Sequence, residues 1–208
     1  MEDDIYQTIV SVSEGLFKDK GSKFIAYAFP VETETEVKEI LLRIKKDHHS
    51  ARHHCYAWRI GTEEIHHRAN DDGEPSSTAG KPILGQLQSF NITNTLVVVV
   101  RYFGGTLLGV SGLINAYKNA AADALKNANI VSRQIEKVWQ LDFTYNELSE
   151  VMNLVKQENL TVISTRFEEK CELIYSVRKN NEQKIAAYFD NIYGVTVKSL
   201  AVDRKSVV

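Results

Sequence analysis

Five aliphatic residues in succession, Leu96 to Val100, constrain this chain more than any other feature. With Thr95 before them and Arg101-Tyr102 after, they predict a strand over 95–102 that is buried on both faces, because a half-solvated strand would alternate apolar with polar residues. The run is far too short to span a bilayer. The segment after it is equally constraining. Phe103-Gly104-Gly105-Thr106-Leu107-Leu108-Gly109-Val110-Ser111-Gly112 carries four glycines in ten residues, and then Leu113, Ile114, Tyr117, Ala121, Ala124 and Leu125 recur at helical spacing. A strand end, a glycine loop and a helix start place free backbone N–H groups where an anion could sit, with Arg101 nearby. The glycines serve equally to let the strand turn sharply and pack against the helix. Gly104 and Gly109 have P-loop spacing, but Val110 stands in the lysine position, so a nucleotide triphosphatase is not expected.

Around this centre the periodicities predict an α+β protein. Strands are expected at Tyr6–Val12 and Lys23–Phe29, with a turn at Lys20-Gly21. Thr33 and Glu36 form a capping box for a helix carrying Val37, Ile40, Leu41 and Ile44, closed by Lys45 and Lys46. A strand is expected at Cys55–Ile60. Thr78 is expected to cap a helix bearing Ile83, Leu84, Leu87 and Phe90. From residue 138 the order reads β-α-β-β-α-β, the ferredoxin-like split unit, closing with a strand at 195–202. The domain boundary falls within 130–137, giving domains 1–132 and 137–208.

Bulk properties exclude several functions. The 208 residues hold 25 basic and 27 acidic side chains, a net charge of −2. The counts are 15 against 16 to residue 135 and 10 against 11 after it, so neither half is a basic nucleic-acid module and any RNA contact requires a local patch. Two cysteines, Cys55 and Cys171, make no disulfide framework. The start Met1-Glu2-Asp3-Asp4 is acidic where a signal peptide is basic, and a cytoplasmic location is expected.

All six histidines lie between His48 and His67. His49 and His53 have i, i+4 spacing with Cys55 close, but no H-E-x-x-H or paired C-x-x-C accompanies them, and no metal or cofactor is assigned. Asp71, Asp72 and Glu74 beside Ser76, Ser77 and Thr78 suit acid–base chemistry or a structural turn. The G-x-S-x-G elbow of a serine hydrolase is missing, and no catalytic residue is assigned. In the second domain Arg166, Lys170, Arg178 and Lys179 flank a hairpin and could reach phosphates, or form a solvated edge. The aromatic signature of an RRM is absent there.

Three separated blocks, Ala51-Arg52-His53-His54-Cys55-Tyr56-Ala57, Asp72-Gly73-Glu74-Pro75-Ser76-Ser77-Thr78-Ala79-Gly80 and Arg101-Tyr102-Phe103-Gly104-Gly105, closely resemble the motifs of the IMPACT/YigZ family, and the Gly109, Gly112, Tyr117 spacing continues the likeness. The resemblance implies a first domain like the second domain of a small-subunit ribosomal protein and domain four of elongation factor G. It implies a second like domain five of that factor. It implies a translation-associated regulatory protein contacting the ribosome or structured RNA. Eukaryotic members regulate translation initiation with an additional N-terminal domain; this chain starts too close to its first strand for one, so that mechanism is not expected. By motif position, the ligand- or RNA-binding residues are His53, Asp72, Glu74, Thr78, Arg101, Gly104, Gly105, Gly109, Gly112 and Tyr117. Leu107 stands where the family usually has lysine, Asn115 where it often has arginine, and Ser77 and Ser111 where it usually has glycine. The alternatives are an enzyme for a small anionic or phosphorylated substrate in the same cleft, and a protein-interaction module.

Overall fold

The computed structural model describes residues 4–200. The acidic Met1-Glu2-Asp3 start and the last two residues of the strand expected to reach 202 lie outside them. The chain is α+β and divides into two compact units, Tyr6–Arg133 and a second formed by residues 134–200 with residues 4 and 5.

The first unit holds β1 (Ile5–Ile9), β2 (Ser13–Asp19), β3 (Ser22–Pro30), α1 (Glu34–Asp47), β4 (His53–Ile60), β5 (His66–Asn70), α2 (Gly80–Ser89), β6 (Thr95–Tyr102), α3 (Gly109–Lys126) and β7 (Ile130–Gln134). Five strands form an antiparallel-paired sheet in the order β2-β3-β6-β4-β5. β6 is its centre. Val97 and Val99 face a core shared with α2 and α3, built on Ile83, Leu87, Leu113, Tyr117 and the alanines of α3. Leu96, Val98 and Val100 face a second core with Val37 and Ile44 of α1. Helices on both faces are why the run needs no polar alternation.

Local chemistry fixes the helix ends. The Thr33 hydroxyl accepts from the Glu36 amide at 3.3 Å, and the Glu36 carboxylate accepts from the Thr33 amide. At α2 the structure corrects the sequence reading. The Thr78 hydroxyl donates instead to the Pro75 carbonyl at 2.7 Å. The cap comes from Asp71, whose carboxylate accepts from the amides of Ser77, Ala79 and Gly80 at 2.8–3.0 Å. Ile114 is likewise not on the inner face of α3, being 38% exposed, while Ala116 and Ala120 are buried.

Three strands have no counterpart in the sequence reading. The segment expected as one strand, Tyr6–Val12, ends at Ile9 and gives way to β2, which pairs with β3 across the Lys20-Gly21 turn. β5 pairs with β4 at the sheet edge. β7 pairs with β1 in a separate two-stranded sheet, within the segment expected as a boundary.

The second unit holds β8 (Glu136–Phe143), α4 (Leu148–Gln157), β9 (Thr161–Phe167), β10 (Cys171–Arg178), α5 (Glu182–Asp190) and β11 (Thr196–Leu200). Its four antiparallel strands lie in the order β11-β8-β10-β9. Leu141, Phe143, Leu173 and Tyr175 meet Val151, Val155, Ile185 and Phe189 of the two helices in one core. Arg178 is not free for phosphate: its guanidinium is bound to the carboxylate of Asp4, which it holds below the usual carboxylate range.

Candidate functional site

Strand register builds the site. Arg101 on β6 is the direct neighbour of Phe24 on β3 and of His53 on β4, so these three side chains form a row across one face of the sheet. His53 and Arg101 of that row line a cavity of about 830 Å3, together with Glu74 and Pro75 and with Leu108, Gly109 and Val110. His53, Glu74, Arg101 and Gly109 therefore come together from all three motif blocks and the start of α3.

Glu74 and Arg101 are buried, at 9% and 6% exposure. The guanidinium of Arg101 donates to Glu74 Oε1 at 2.6 Å, and the Tyr117 hydroxyl donates to the same oxygen at 2.8 Å. Tyr117 in turn accepts from the Cys55 thiol, 3.3 Å away. Burial pushes the Tyr117 phenol and the Cys55 thiol far above their ordinary values, so both hold their protons and neither is a ready nucleophile. Arg101 also lies over the rings of Phe24 and Phe103 at 5.5 and 5.6 Å, with its Nε lacking a hydrogen-bond partner among the described residues. The charge of Arg101 is thus neutralised by Glu74 and sandwiched between aromatic faces, not displayed to solvent.

Other expected residues shape this centre from outside it. The His53 imidazole Nδ1 meets the Asp72 carbonyl at 3.0 Å. The Asp72 carboxylate turns elsewhere, accepting from the His54 amide at 2.7 Å and from Lys45 at 3.1 Å. For Asp72 and Asp71 burial acts to raise the pKa, but these bonds together outweigh it and leave both carboxyls below their ordinary value. Thr78 is buried in its turn. Gly104 is a packing residue: a Cβ there would lie 1.9 Å from the Gly21 carbonyl carbon. At Gly112 it would lie 2.9 Å from Leu108 Cβ. Gly105 and Gly109 have φ of +87° and +72° with open space beside them, so backbone conformation explains them. Ser77, where the family usually has glycine, also has positive φ, at 64°.

The histidines divide. His48, at the end of α1, bridges the hydroxyls of Tyr27 and Tyr102 at 3.0 and 2.8 Å. His54 is pushed below the ordinary imidazole value by burial, against the opposing pull of the His48 carbonyl and Asp72. Cys55 points at the Asp71 carbonyl and Tyr117 and is not grouped with His49 and His53; among the described residues no three His, Cys, Asp or Glu side chains are arranged to hold a metal.

Sequence reasoning missed the rim. Phe103, Leu107 and Val110 line the cavity and are 55, 82 and 61% exposed, and Arg52 stands exposed beside them. A solvent-facing apolar residue leaves no periodic signal in a loop, although Leu107 in place of a basic residue was a hint. α3 begins at this rim, and its N-cap residue Leu108 makes no side-chain capping hydrogen bond.

Among the described residues no helix is long and apolar enough to cross a membrane. Residues 20–125 match the model of the Impact N-terminal domain. The IMPACT family member YvyE of Bacillus subtilis is 35% identical over 80% of this chain and 77% of its own length. YigZ of Escherichia coli is 32% identical over 76% of this chain and 78% of its own. A crystal structure of a hypothetical protein, 27% identical, superposes over 96% of this chain and 98% of that one with a TM-score of 0.70. The three blocks meeting around Glu74 and Arg101 are thus found in a chain that belongs to the IMPACT family.

Proposed function

We propose that this protein is a translation-associated regulator that contacts RNA or the ribosome through the cleft of its first domain. One observation carries the reading: a cavity joining all three motif blocks has an exposed aromatic ring, Phe103, stacked near a guanidinium at its rim and an exposed arginine, Arg52, beside it. Aromatic faces flanked by arginine hold unstacked bases without needing a strongly basic surface, which fits a chain of net charge −2. The division into 1–132 and 137–208 belongs to the same proposal. So does the likeness of the domains to domains four and five of elongation factor G. The strand order β11-β8-β10-β9 supports a ferredoxin-like second domain.

A second reading, a site for a small anionic or phosphorylated substrate, is favoured by the cavity volume, which falls among ligand pockets, and by the unpartnered Nε of Arg101. Co-sedimentation with ribosomes at low and near-physiological salt separates the two. Phe103→Ala and Arg52→Ala are the informative variants, because both residues are exposed and their loss spares the fold. The proposal expects salt-sensitive sedimentation that both variants weaken. Wild type remaining in the supernatant at both salts would reject it in favour of the small-molecule reading.

A further inference from the structure

In the cleft Arg101 is spent on Glu74, which leaves the exposed Arg52 at its rim. The tip of the β2–β3 hairpin is richer in charge. Lys18 and Lys23 are direct cross-strand partners there, and Lys20 occupies the turn between them. All three are exposed, and among the described residues none forms an ion pair. Together with Asp19, Gly21 and Ser22 they line a shallow cavity of about 380 Å3, in which Asp19 is the single carboxylate.

Two features of this tip run against local stability. Like charges directly opposite on paired strands repel each other. Lys20 also has a φ of +42°, in the left-handed region where asparagine or glycine is favoured in a two-residue hairpin turn. Departures from local rules with no compensating contact concentrate at functional sites. The tip is also fixed in place beside the cleft. Lys23 is the cross-strand partner of Tyr102, and the backbone of Gly104 packs on Gly21, with its amide donating to Ser22 Oγ at 3.1 Å. By strand alternation Lys18 and Lys23 face away from Arg101, so the tip and the cleft lie on either side of one sheet end.

We propose that Lys18, Lys20 and Lys23 grip the phosphate backbone of the RNA whose bases enter the cleft at Phe103. The inference rests on the RNA reading of the cleft and adds, beside Arg52, an electrostatic contribution from residues outside it. A chain crossing the sheet end would lay phosphates over the hairpin and turn its bases toward the aromatic rim.

The test titrates labelled full-length protein with deproteinised ribosomal RNA across a salt series. It compares wild type, a Lys18→Gln, Lys20→Gln, Lys23→Gln triple variant, and the corresponding triple arginine variant. Each lost phosphate contact lowers the slope of log affinity against log salt by about 0.7 to 0.9, so the glutamine variant is expected to lose a slope of about 2 and about tenfold or more in affinity at low salt. The arginine variant should retain both, which a structural role for the lysines would not predict. Wild-type affinity and slope in the glutamine variant would overturn the inference and leave the RNA reading standing. Failure of wild type to bind this RNA overturns the inference as well, and failure on intact ribosomes too rejects the reading beneath it. Equal competition by polyglutamate would replace RNA with an acidic protein partner.

Discussion

The two larger sheets of this protein handle polar side chains in opposite ways. In the second domain Gln140, Asp142, Glu172, Arg166 and Lys198 spread across the sheet face turned away from the helices. They are linked by bonds such as Lys198 to Asp142 at 2.6 Å and Arg166 to Glu172 at 3.4 Å. These are exposed or half-exposed, and pairs of this kind contribute about 0–1 kcal/mol each. In the first domain both faces are covered, and the polar groups gather at one end of the sheet, where Glu74, Arg101 and Tyr117 are buried together. An exposed ladder keeps a sheet solvated and unaggregated. A buried cluster at a cavity floor holds a wall in place, which is what a binding site requires.

The largest expected effect sharpens this contrast. Glu74→Ala strands the Arg101 charge in the interior and should cost about 3–5 kcal/mol in urea unfolding, whereas Glu172→Ala should cost about 1 kcal/mol or less. Equal losses would break the comparison. Gly104→Ala tests whether the glycine loop is built for packing. A methyl group pressed into the Gly21–Ser22 backbone should cost about 1–3 kcal/mol, and a neutral result would mean that packing does not explain the glycine at 104. Ser77→Gly should gain about 1 kcal/mol by relieving a left-handed serine; no gain would mean that the Asp71 cap has already absorbed that strain.

The smallest effect is in pH. His54 has a folded pKa below its unfolded value, so the unfolded chain takes up the proton first. Its contribution to stability is complete above about pH 6.5 and is lost as pH falls toward the lowered folded value. A His54→Gln variant should flatten that part of the stability profile, measured by thermal unfolding at stepped pH. An unchanged profile would place the titration elsewhere.

Arg101 shows how far the site was legible beforehand. The motif blocks named it as a ligand- or RNA-binding residue, and in the structure it lines the cavity. Its partner within the chain is Glu74, a pairing joined by Tyr117 of α3. Thr78 shows the reverse. Its position before a helix invited a capping role, but the turn at Asp72 and Gly73, with φ of 40° and 89°, brings Asp71 to the helix start first.

The sequence by itself determined the elements whose signal is local. The Thr33–Glu36 box set the start of α1, the aliphatic run set β6, and the alternation from Trp139 set the order of the second domain. Only the tertiary structure decided β5 and β7. His66-His67-Arg68-Ala69-Asn70 has no apolar face to read and becomes a strand because β4 offers it a free edge. It also decided that a loop residue such as Phe103 stays exposed while Arg101, two positions earlier, is buried. Periodicity records which side of an element meets the core, but pairing and burial across the chain depend on which partner arrives, and that information is spread over residues far apart in sequence.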